Sequence, residues 1–98
     1  MISLYNSYGK HVANFFNQQL YSPTGESIGY FEPALNIFID LKGRYLGEII
    51  EHDYIFQKLD SPYLNIHFST KNPTVNLGYF TAPNSKNILK SLDLMKNI

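Results

Sequence analysis

One phrase of apolar and small positions recurs four times along the chain: a bulky apolar residue, a very small one, then a bulky residue two places on. It stands at Val12-Ala13-Asn14-Phe15, Ile28-Gly29-Tyr30-Phe31, Leu46-Gly47-Glu48-Ile49 and Leu77-Gly78-Tyr79-Phe80. A turn glycine precedes the first three, at Gly9, Gly25 and Gly43. Self-similarity at a short period marks a fold made by copying one supersecondary unit. Aligned on these positions, Leu4-Tyr5-Asn6 matches Leu20-Tyr21-Ser22 and Phe38-Ile39-Asp40. In each, two strand formers run into an Asn, Ser or Asp whose side chain can bond its own turn backbone. The glycine three places later allows the left-handed exit of a tight hairpin. Return strands are therefore predicted at Lys10 to Phe15, Glu26 to Phe31 and Arg44 to Ile49.

Ala13, Gly29, Gly47 and Gly78 share one phase of the repeat, and glycine inside a strand sacrifices packing and entropy. That cost predicts either a close approach of backbone or aromatic at this point, or a bulge that re-aims the strand. The spacings between these residues are 16, 18 and 31. The long last gap is read as an irregular excursion at 53–65, an insertion or a degenerate unit. Within it, Leu59-Asp60-Ser61-Pro62 echoes Leu20-Tyr21-Ser22-Pro23. The fourth hairpin is predicted at 66–80, with Lys71-Asn72-Pro73 in place of the glycine turn. Isolated hairpins are marginal in water, so the units must bury their apolar faces on one another. Arranging them around an axis also disposes of unpaired strand edges.

After Pro83 the period changes. Asn84 or Ser85 can cap a helix, Ile88, Leu89, Leu92 and Met95 then share one face, and Lys86, Lys90, Asp93 and Asn97 the other. An amphipathic helix at 84–97 is expected to cover the open end of the rosette. A partner surface or a membrane interface is the alternative use for it. The expected fold is thus mainly β: a pseudo-symmetric shallow barrel or rosette of about four hairpins with a C-terminal helix. It forms a single domain over 1–98, with hairpin units at 1–16, 17–33, 34–52 and 66–80.

Composition narrows the chemistry. Eight basic and eight acidic residues cancel, so no global field recruits nucleic acid. The absence of cysteine excludes disulfides, thiolate metal sites and Cys nucleophiles. The start, Met1-Ile2-Ser3-Leu4, lacks the basic and apolar regions of a secretory signal, and no run is long enough to span a membrane. A cytoplasmic protein is the expectation. His11, His52 and His67 have no clip-like spacing, so no metal and no cofactor are expected. The densest ionisable cluster is Glu48, Glu51, His52 and Asp53; on one strand, Glu48 and His52 would share a face as an acid/base pair. A solvated strand exit explains the same residues, and no nucleophile or phosphate-loop motif is present, so an enzyme is not expected. The eight tyrosines carry more weight, because Tyr joins a large apolar ring to a polar tip suited to interfaces. Alternation should send about half of them into the core and the remainder outward; Tyr30, Tyr45, Tyr54, Tyr63 and Tyr79 are the candidates for a binding surface.

The columns resemble those of the bacterial four-fold β-flower proteins. The carriers are Leu4-Tyr5 with Gly9 and Val12-Ala13, Leu20-Tyr21 with Gly25 and Ile28-Gly29-Tyr30-Phe31, Gly43 to Ile49, and Leu77-Gly78-Tyr79-Phe80. The resemblance implies a shallow symmetric barrel with hairpins as petals, similar in outline to the lipid-binding Tubby C-terminal barrel. It implies no catalytic residues. The expected function is a non-catalytic binding or assembly module, meeting a protein partner or its own copy through an aromatic hairpin surface. The alternatives are a lipid- or membrane-surface module and a small enzyme using Glu48 and His52. No nucleic-acid partner is expected.

Overall fold

Asn6, Ser22 and Asp40 each build the turn that their column predicts. The Asn6 side chain accepts the N–H groups of Tyr8 and Lys10, Asp40 those of Lys42 and Arg44, and Ser22 Oγ that of Glu26. Main-chain bonds from Gly9 to Asn6, Gly25 to Ser22 and Gly43 to Asp40 close the three turns alike. The computed structural model describes residues 1–83, 86–90 and 93–98. The strands are β1 (Ile2–Tyr5), β2 (His11–Phe16), β3 (Gln19–Tyr21), β4 (Ser27–Glu32), β5 (Ile37–Asp40), β6 (Tyr45–Ile50), β7 (Tyr54–Lys58) and β8 (Met95–Asn97).

Strands β1 to β7 pair in chain order and close into a barrel through a parallel contact of Tyr5 with Tyr54. The Tyr5 N–H seals that seam on the Asp53 carbonyl at 2.8 Å. β8 lies outside the barrel on β7. The strands are short and the molecule is a disc of 35 × 34 × 17 Å. Register shifts fall at Leu4/Tyr5, Leu20/Tyr21 and Phe38/Ile39, so one residue bulges in each return strand: Val12, Ile28 and Leu46. The next residue is the small one, Ala13, Gly29 or Gly47. At Gly29 and Gly47 a bulge and a close approach coincide. The bulge twists the strand, and a Cβ on Gly29 or Gly47 would stand 2.5 Å from the carbonyl oxygen of Ile39 or Phe56 in the following strand.

The core sits inside this ring. Leu4, Leu20, Phe38 and Ile55, one from the first strand of each unit, are fully buried with Ala13. Phe15, Phe31 and Phe38 pack ring on ring with centroids 5.1–5.4 Å apart. The bulged Val12, Ile28 and Leu46 fill in around them. A second cluster of Tyr30, Ile37, Ile39 and Tyr45 lies on the other face of β4–β6, covered by Tyr63 and Phe68. Burial on both faces explains why β5 has three successive buried apolar residues rather than an alternation.

The fourth unit departs from expectation. β7 is its outgoing strand, inside the span read as an excursion at 53–65, and β8 is its return. Leu59 N–H bonds Leu94 O at its neck, as Asn6 N–H bonds Lys10 O in the first unit. Residues 66–80 contain no strand, so the hairpin expected there is replaced. Pro62, Pro73 and Pro83 punctuate the segment, and proline cannot donate to a ladder. The described residues between β7 and β8 instead form an irregular strap across the other units.

The helix expected at 84–97 is likewise not found among the described residues. Residues 86–90 have no regular structure, 93–94 form a turn, and Met95–Asn97 is a strand; Asn84, Ser85, Ser91 and Leu92 lie outside the described residues. The apolar period of Ile88, Leu89 and Met95 suits a helix, but so short a helix is stable only when docked. The free edge of β7 offers main-chain bonds instead. Asn97 adds a reciprocal pair, donating from Nδ2 to Ser7 Oγ and accepting the Ser7 N–H, both at 2.9 Å. Among the described residues no helix is long and apolar enough to cross a membrane.

Candidate functional site

The strap crosses the three hairpin tips in reverse order, at evenly spaced stations. Phe68 N–H donates to Gly43 O and Lys71 N–H to Leu41 O; nine residues on, Leu77 N–H meets Gly25 O and Phe80 N–H meets Pro23 O. Nine residues beyond Phe80, Leu89 N–H meets Ser7 O. The acceptors hold equivalent places in the three turns. Nine extended residues reach at most about 30 Å. A quarter of the rim of a disc 35 Å across is about 27 Å, by π × 35/4. The nine-residue step therefore suits four units around one axis.

Polar side chains on the barrel fasten the strap. Tyr30 Oη donates to Ser69 O at 2.7 Å, Thr74 Oγ1 donates to Tyr21 Oη at 3.0 Å, and Tyr54 Oη donates to Asn87 O. His11 and Asn14, both buried, form a relay at the first hairpin. Ala82 N–H donates to His11 Nδ1 at 3.1 Å, which leaves the proton on Nε2 to face Asn14 Oδ1 at 2.7 Å. Asn14 Nδ2 then donates to Phe80 O at 2.9 Å. Lys86 pairs with Asp53 at 2.9 Å, and that carboxylate raises the lysine above its ordinary pKa. Lys71 stands 4.1 Å above the Tyr30 ring.

These contacts redistribute the expected surface. Tyr30, Tyr45 and Tyr54 are buried, Tyr63 is half-buried, and only Tyr79 of the five is exposed. The strap covers the face that alternation along a strand leaves to solvent. Tyr45 donates to Glu48 Oε2 at 2.7 Å and accepts the Lys58 N–H at 3.1 Å. Burial, then the bond to Glu48, pushes its pKa up to about 12, so the hydroxyl is a fixed donor at neutral pH. Glu48 also meets Lys58 Nζ at 3.5 Å. His52 lies beyond the end of β6, exposed in a turn with φ 75°. One strand does not carry both residues, and the alternation that paired them ends at Ile50. Gly78 belongs to the strap and not to the small-residue column; its own backbone is what crowds Gly25.

The outward side of the strap carries exposed apolar surface, of which the sequence points to Tyr79 and, as an alternative use of the tail, to Ile88. Among the described residues, nine of the 14 exposed large apolar ones lie from Leu59 to Leu94, led by Val75 (82% exposed), Tyr79 (78%) and Ile88 (73%). Tyr79 and Ile88 are nine residues apart, the same step as the stations. The strap is also acid-free: from Ser61 to Leu92 there are three lysines and no Asp or Glu, leaving five basic and eight acidic residues elsewhere. That charge segregation was legible, and it vanishes in the neutral total. Two cavities border the strap. One, of about 320 Å³, lies where it leaves β7 and rejoins β8; the other, of about 270 Å³, lies beneath Phe68 and Lys71 against Tyr30 and Glu32. Comparison with family models, curated proteins and solved structures finds no match to the chain.

Proposed function

We propose that the chain is a non-catalytic binding or assembly module whose contact surface is the outward face of the strap, and that it stands with the β-flower proteins in architecture. The observation that carries the reading is the exposure of Val75, Tyr79 and Ile88 on a segment pinned at several stations. Fixed apolar side chains enter a contact with little ordering cost, which is what makes a surface bind well. The polar clusters support the same reading, because Tyr45, Glu48 and Lys58 satisfy one another. The strap's lysines favour a second reading, an anionic membrane surface. Each lysine near such a surface contributes about 1 kcal/mol, but Lys86 is already paired and Lys71 rests on a ring.

Sedimentation velocity across a concentration series separates these. The wild-type chain is expected to self-associate, and Val75→Ser with Tyr79→Ser and Ile88→Ser to return it to monomer with its thermal midpoint retained. A wild-type chain that stays monomeric throughout and floats with anionic vesicles would move the assignment to lipid. A triple variant that assembles as before would remove the strap face from the account.

A further inference from the structure

The fourth tip differs from the other three in a way that the repeat makes visible. Strap segments cross the tips at Asp40–Arg44, Ser22–Glu26 and Asn6–Lys10. The fourth unit has the same closing bond, Leu59 N–H to Leu94 O at 2.7 Å, but no hairpin turn joins its two limbs, which run into the strap. Among the described residues no segment crosses this tip. A groove of about 320 Å³ opens there, lined by Lys58, Asp60, Ser61, Pro62, Asp93 and Leu94.

We infer that this open tip is a docking site for an extended basic peptide segment supplied in trans. The occupant's backbone follows from the other tips, each of which takes an irregular, extended stretch of this chain by its main-chain N–H groups. Its charge follows from the lining. The Lys58 ammonium is committed to Glu48 at 3.5 Å. Ser61, 8% exposed, accepts the Tyr63 N–H at 3.1 Å. Asp60 and Asp93 remain, both exposed and without an ion pair among the described residues, at the two ends of the acid-free strap. They set a negative potential beside the apolar edge of Pro62 and the 56% exposed Leu94. A lysine or arginine matches this pair of surfaces, placing its aliphatic stem on the apolar edge and its cationic head at the carboxylates. The volume is at the lower limit of small-ligand sites, enough for a short stretch of chain.

The test is fluorescence anisotropy of the full chain with a labelled peptide of alternating lysine and valine, against the same peptide with glutamate for lysine. The lysine peptide is expected to bind and the glutamate peptide not. Asp60→Asn with Asp93→Asn should weaken binding at least about tenfold, as loss of two charge contacts implies. Both carboxylates are exposed, so the thermal midpoint should hold. The Val75, Tyr79 and Ile88 serine variant should bind the peptide unchanged, which separates this site from the outward strap face. No binding of the lysine peptide at about 1 mM, equal binding of the two peptides, or undiminished binding by the double variant would each overturn the inference.

Discussion

Phe38→Ala is expected to cost about 4 kcal/mol, the usual loss for a fully buried phenylalanine. The ring is 0% exposed and touches both Phe15 and Phe31, so its removal breaks two of the three ring contacts at the barrel centre. A domain of this size has on the order of 5–15 kcal/mol in total. At about 4–8 °C per kcal/mol, the thermal midpoint should fall by roughly 20 °C. Phe38→Leu keeps most of the volume and should cost under about 1.5 kcal/mol. The opposed Gly47 gives no compensation, because a side chain there meets the Phe56 carbonyl. Thermal or urea unfolding checks this. An alanine variant within about 1 kcal/mol of wild type would mean that Phe38 is not in the core.

Gly43→Ala should also be strongly damaging, for two reasons acting together. Its φ of +87° costs an L-residue about 1–2 kcal/mol. Its Cβ would also collide with the carbonyl of Phe68, which is backbone and cannot swing aside. The strap must then lift from this station, losing the bonds to Gly43 O and Leu41 O and the packing of Phe68 against the cluster of Tyr30, Ile37, Ile39 and Tyr45. The expected loss is on the order of 3 kcal/mol, combining that strain with about 1 kcal/mol per hydrogen bond. Gly78→Ala is the control: φ is +77° but nothing lies within 4 Å of its Cβ, so it should cost only about 1–2 kcal/mol. Equal losses in urea unfolding would show that the turn glycine is not crowded by the strap.

What could be read from sequence was whatever depends on neighbours in the chain. Asn6, Ser22 and Asp40 act within their own turns, and each bonds backbone two or four residues away. Gly29 and Gly47 revealed a steric need that recurs once per unit, and the repeat exposed it. Contacts across large separations left no such trace. Tyr30 and Tyr54 alternate like surface residues, and only the strap carbonyls of Ser69 and Asn87 make them buried donors. Met95–Asn97 pairs with Phe56–Lys58 across 36 intervening residues, from Leu59 to Leu94. No local period encodes that pairing, whereas a helical period was present locally and pointed elsewhere. Three prolines and the missing acids were the available signs that the described residues of 61–92 form neither hairpin nor helix.

The strap is held to the three hairpin tips by main-chain bonds nine residues apart. Amide hydrogen exchange read by NMR tests it residue by residue. The N–H groups of Phe68, Lys71, Leu77, Phe80 and Leu89 should exchange slowly, by at least about 100-fold, or roughly 2.8 kcal/mol of local opening. Those of Val75, Tyr79 and Ile88, which make none of these bonds, should exchange near the rate of a free peptide. Uniformly fast exchange from residue 66 to residue 90 would contradict the account, because the strap would then be a tether and not part of the fold.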